Sequence, residues 1–134
     1  GEAVVFSGMK APKYFFTNIK RHGALLAKGR MLGIQFDTLF TDNLYFKISR
    51  HAIAMATRIR SIFQKHGIAI AYDSPTNQQF VVLSPSLYDA LSKKVAFEIW
   101  ERKSDTEIIC RFVTSWATKD KELDELDDIL QALS

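Results

Sequence analysis

The chain has 134 residues, 47% of them hydrophobic and 25% charged. That fits one globular domain, which at this size buries roughly two thirds of its unfolded surface. Its formal charge of +3 comes from Lys and Arg interleaved with Asp and Glu outside the Lys10 to Arg30 stretch, which is no nucleic-acid footprint; the single cysteine excludes an intrachain disulfide, and no apolar run reaches the ~18 residues of a membrane span.

Glu2 to Phe6 holds the apolar run Ala3-Val4-Val5-Phe6 and predicts a buried strand. No methionine, turn or polar lead-in precedes it, so residues 1–12 read as a remnant strand and loop of a larger domain, with the loop over Ser7 to Pro12. No signal-peptide pattern opens the chain, and the expected compartment is the cytoplasm.

From Lys13 to about Phe40 the apolar spacing predicts helix, threaded by Gly23, Ala24, Ala27, Gly29 and Gly33. So many small residues suggest close backbone approach to a neighbour; the alternative is that Gly29 divides two helices. A second helix is expected over Asp42 to His66, where Leu44, Ile48, Ala52, Met55, Ile59, Ile62 and Phe63 recur at three- and four-residue steps and Gly67 ends the pattern. Residues 13–66 therefore read as a helical connector and interface segment.

Residues 67–134 predict a small α+β domain. Ile68 to Tyr72 and Phe80 to Leu83 read as strands around a turn-rich linker, and Ser86 is the expected N-cap of a short helix to about Lys94. Ala96 to Glu101 and Glu107 to Thr114 read as an antiparallel hairpin. Lys119 to Leu133 should be a packed helix, with Leu123, Leu126, Ile129, Leu130 and Leu133 on one face and Asp120 and Glu122 at its anion-favouring start. The fold class expected is α+β: two long helices, then a small, mainly antiparallel sheet covered by helices.

The chain has no Gly-rich phosphate loop, no HExxH and no paired cysteines, and His22, His51 and His66 share no helical turn, so no metal site is expected. Cys110 sits in Ile108-Ile109-Cys110 and reads as a core residue. Arg111 lies inside the same apolar strand. A guanidinium there is costly unless it meets an anion, and its planar fork suits a carboxylate; the alternative is the solvated face of an edge strand. Arg30, in Ala27-Lys28-Gly29-Arg30, is either an approach to a phosphate or a helix surface. Asn77, at a strand entry, either holds a turn or binds a ligand. Lys10 reads as an exposed loop lysine.

The runs RFVTSWAT (Arg111 to Thr118), GEAVVF, HGALLAKGRMLGIQF (His22 to Phe36) and SPTNQQFVVL (Ser74 to Leu83) occur in an order that resembles the C-terminal part of the threonine aldolase and β-eliminating lyase family. These are pyridoxal-phosphate enzymes of the aspartate-aminotransferase-like fold. The resemblance implies that the chain ends a longer enzyme acting on an amino-acid substrate. Residues 67–134 would be the small C-terminal domain. The missing N-terminal large domain would carry the cofactor lysine and the catalytic groups, so this segment would be inactive alone and hold no catalytic residue. Arg111, with Asn77, would bind the substrate, and Arg30 would reach the cofactor phosphate, within its own subunit or across the subunit boundary of a homo-oligomer. The reaction implied is cleavage of a β-hydroxy-α-amino acid such as threonine to glycine and an aldehyde, or elimination of a β-substituent. The competing expectation is a non-catalytic binding or interaction module of similar architecture.

Overall fold

The computed structural model describes residues 4–133. The chain divides into two units, Gly1–Tyr45 and Phe46–Ser134.

In the first unit, α1 (Phe15–Arg21) and α2 (Arg30–Phe40) realise the two-helix alternative for Lys13 to Phe40 rather than one continuous helix. The break comes from Gly23, whose φ of 68° lies in the left-handed region open to glycine. A Cβ on Gly23, Gly29 or Gly33 would meet no atom within 4 Å, so among the described residues these glycines serve no close packing. Gly29 directly precedes α2. Of the strand expected over Glu2 to Phe6, Glu2 and Ala3 lie outside the described residues. Val4 to Phe6 form no strand, and Val4 and Val5 are largely exposed. Phe6 instead meets Phe15 edge-on, with ring centroids 4.9 Å apart. Asp42 and Asn43, both at positive φ, delay the next helix to Leu44.

The second unit opens within α3 (Leu44–Lys65). Ala52, Met55, Ala56, Ile59, Ile62 and Phe63 form its buried stripe, which is the three-and-four spacing read from the sequence. Its end is a Schellman closure: Gly67, at φ 70°, donates to the Gln64 carbonyl at 3.0 Å, and Ile68 donates to that of Phe63 at 2.9 Å. The chain then turns into β1 (Ile70–Tyr72), β2 (Gln78–Leu83), α4 (Pro85–Leu91), β3 (Glu98–Arg102), β4 (Ile108–Val113) and α5 (Asp120–Leu133). The strands form one antiparallel sheet in the order β1-β2-β4-β3. The α+β architecture is therefore as expected.

Alternation sorts the sheet into two faces. Val81 and Leu83 on β2 and Ile108, Cys110 and Phe112 on β4 join Phe63, Leu91, Leu123, Leu126 and Leu130 in one core. The cap of α4 is Ser84 rather than Ser86: its Oγ accepts from the Leu87 N–H at 3.3 Å, and Pro85, which lacks an N–H, occupies the first helical position. At α5 the side chain of Glu122 accepts from the Lys119 N–H at 3.0 Å, half of a capping box. No helix among the described residues is long and apolar enough to cross a membrane.

Candidate substrate-binding face

The sheet face away from the helices carries a row of side chains fixed by strand register. Tyr72 stands opposite Phe80, Phe80 opposite Arg111, and Arg111 opposite Glu98, so one row crosses β1, β2, β4 and β3. The rings of Tyr72 and Phe80 meet edge-on at 5.5 Å, and those of Phe80 and Trp100 at 5.2 Å. Trp100 falls at a bulge between Ile99 and Glu101, which shifts the pairing of β3 by one residue. The Arg111 guanidinium lies over the Trp100 ring, 5.2 Å from its centroid, a cation–π contact.

Arg111 is held on three sides. Nη1 donates to Gln78 Oε1 at 3.2 Å, Nη2 donates to Glu98 Oε2, and Trp100 covers the guanidinium plane. Its side chain is 27% exposed, while that of Glu98 is 67% exposed. Nε is buried and has no hydrogen-bond partner among the described residues. The sequence reading asked whether this arginine meets an anion or lies on the solvated face of an edge strand. It does meet an anion, and it occupies a central strand on the helix-free face. Gln78, Glu98 and Trp100 escaped the sequence reading because their meeting with Arg111 depends on register. Once the hairpin is recognised, the opposite charges of Glu98 and Arg111 are the signal that could have paired them.

Asn77 lies at the entry to β2. Its Nδ2 donates to the Thr114 carbonyl at 2.7 Å, and its own carbonyl accepts from the Thr114 N–H at 3.0 Å. It thus clamps the start of β2 to the end of β4. Thr114 in turn donates its hydroxyl to the Ala52 carbonyl at 2.7 Å, and His51 Nε2–H donates to the Thr118 carbonyl at 2.7 Å, securing the chain after β4 onto α3. Asn77, Thr114 and Trp116 line a groove of about 420 Å³ with Ile48, Ala52 and Ile53 of α3. This groove is on the helix side of the sheet, so Asn77 and Arg111 serve opposite faces.

Arg30 is the first residue of α2, an 11-residue helix whose N-terminus has no side-chain cap. Uncapped amides and the helix dipole favour an anion at such a place, and a guanidinium beside them adds a charged donor. Cys110 is fully buried, and burial pushes its thiol up to about 11, in keeping with its core role. Among the described residues no cluster of His, Cys, Asp and Glu could hold a metal.

No family model and no curated protein matches the sequence. Among solved structures, the chain is similar to Leishmania major threonine aldolase, with 36% identity over 88% of this chain and a TM-score of 0.80. The resemblance to the C-terminal part of a threonine aldolase is therefore borne out in sequence and in fold. The chain spans about a third (34%) of the length of that relative.

Proposed function

We propose that this chain, with its likeness to a threonine aldolase along 88% of its length, is the substrate-gripping part of a pyridoxal-phosphate lyase acting on amino acids. That likeness is the observation that carries the reading. The reaction is aldol cleavage of a β-hydroxy-α-amino acid, such as threonine, to glycine and an aldehyde, or elimination of a β-substituent. The lysine that carries the cofactor belongs, in this reading, to the rest of the protein, and the 134 residues alone are inactive. The working assembly is a cytoplasmic homo-oligomer.

The donor chemistry of each unit, taken by itself, suits one of the two anions such an enzyme binds. Arg30, at the uncapped start of α2, suits the cofactor phosphate, and the fork of Arg111 suits the substrate α-carboxylate. When bound, pyridoxal phosphate supplies the electron sink for breaking a bond at Cα. Arg111 fixes the carboxylate and so orients the remaining Cα bonds, a positioning effect rather than a chemical one. Asn77 acts one step away, by clamping the chain end that delivers Gln78 to Arg111.

The test is Arg111→Ala in the full-length protein. Losing the two charge-assisted hydrogen bonds of the fork, worth about 1.5–3 kcal/mol each, should lower kcat/KM by about 10²–10⁴ while cofactor absorbance persists. An unchanged kcat/KM would remove Arg111 from the site.

A further inference from the structure

The fork that would take the substrate carboxylate already holds a carboxylate of the protein. Glu98 faces Arg111 directly across β3 and β4 and accepts from its Nη2. The two partners are unequally fixed. Arg111 is also held by Gln78 at 3.2 Å and covered by Trp100, so it keeps two supports when Glu98 leaves. Glu98 has 67% of its side chain exposed, and among the described residues its carboxylate accepts from no other side chain; when it swings away, water receives it. An ion pair with one such exposed partner is worth little, and a ligand able to offer two oxygens to the fork outcompetes it.

We propose that Glu98 is a positioning residue that acts through Arg111: an internal carboxylate that occupies the guanidinium until the substrate α-carboxylate displaces it. This rests on the reading of Arg111 as the carboxylate ligand. Glu98 keeps the site neutral before substrate arrives, so that small anions gain little by entering. Carboxylate binding becomes an exchange of one anion for another, and the strength of the Glu98–Arg111 pair sets how tightly an amino acid is held.

The experiment uses the full-length protein loaded with pyridoxal phosphate. Dissociation constants for glycine and for glycinamide, which lacks the carboxylate, are read by calorimetry and by cofactor absorbance. Glu98→Gln should tighten glycine about two- to fivefold and leave glycinamide unchanged, the gain expected from removing a surface competitor. Glu98→Asp, too short to span the strands as well, should tighten glycine by less and serves as the second variant if Glu98→Gln melts early. In an Arg111→Gln background the effect of Glu98→Gln should vanish. If Arg111→Gln leaves the preference for glycine over glycinamide intact, the carboxylate reading of Arg111 fails and this inference with it. If that preference is lost but both Glu98 variants leave glycine binding unchanged or weaker, Arg111 stands as the ligand, Glu98 is only a strut, and the inference alone is overturned.

Discussion

The hydroxyl of Thr114 donates to the main-chain carbonyl of Ala52 at 2.7 Å, joining the end of the central strand β4 to the middle of α3. Thr114 is only 1% exposed, so no water replaces this bond when it is lost. Thr114→Val keeps the shape and removes the donor. We expect it to cost about 1–2 kcal/mol, measured as a lower urea midpoint at unchanged slope. Asn77→Ala should cost a similar ~1 kcal/mol, because its Nδ2 bond holds the same strand end. If the two losses arise from one clamp, the double variant should cost less than their sum.

Cys110 gives a chemical readout of the same sheet. Burial, which outweighs the opposing charge of Arg102, raises its thiol from 9.0 to about 11. A thiol-specific disulfide reagent at pH 8 should therefore leave the native protein unmodified and react fully in urea. The folded protein holds the proton that the unfolded chain releases first. This contribution to stability is therefore complete below pH 9 and lost as pH rises from 9 to about 11. Rapid native labelling at pH 8 would show that β4 opens readily.

At the far end of α3, Asp127 of α5 accepts from Lys65 Nζ at 2.7 Å and from His66 Nε2–H at 2.7 Å. These bonds, Lys65 first, hold the Asp127 carboxyl below its ordinary value of 3.8. A carboxyl depressed on folding stabilises when ionised. Its contribution is present above the ordinary carboxylate range and is lost as pH falls through the lower folded value. Urea midpoints of the wild type and Asp127→Asn should differ at pH 7 and converge on acidification below about pH 4. A gap that persists undiminished at pH 2 would assign the effect to packing.

How far these features can be read in advance depends on whether they are local. The buried face of α3 was legible because Ala52, Met55, Ile59 and Phe63 lie at helical spacing, and any partner would bury the same stripe. The cap of α4 lies two residues before the expected Ser86, because the Ser84-Pro85 pair, with proline at the first helical position, is the stronger start. The division between α1 and α2 is one of two readings, at Gly29, but the left-handed turn that ends α1 lies at Gly23, which composition alone does not locate. Arg111 was recognisable as unusual inside an apolar strand, but its partners were not. The row from Tyr72 to Glu98 exists only after both edge strands adopt shifted registers, between Ile70 and Tyr72 and between Ile99 and Glu101. Such shifts are settled by tertiary pairing rather than by alternation along one strand.

The position of Arg111 also depends on the core beneath it. Its neighbour Phe112 points to the helix side, where its ring lies 4.7 Å from that of Phe63 and stacks on Phe97 at 4.6 Å; Phe97 in turn meets Tyr88 edge-on at 5.7 Å. This aromatic chain links α3, β4, the approach to β3 and α4. Phe63, fully buried, is its α3 end. Phe63→Ala should leave a cavity and cost about 3–5 kcal/mol, a large part of the 5–15 kcal/mol that holds a typical domain together. Phe63→Leu keeps most of the volume and should cost clearly less. If β4 is seated by this contact, Phe63→Ala should also weaken carboxylate binding at Arg111 in the full-length protein, under conditions where circular dichroism shows it folded. Intact binding in a folded Phe63→Ala protein would mean that strand pairing alone positions the arginine.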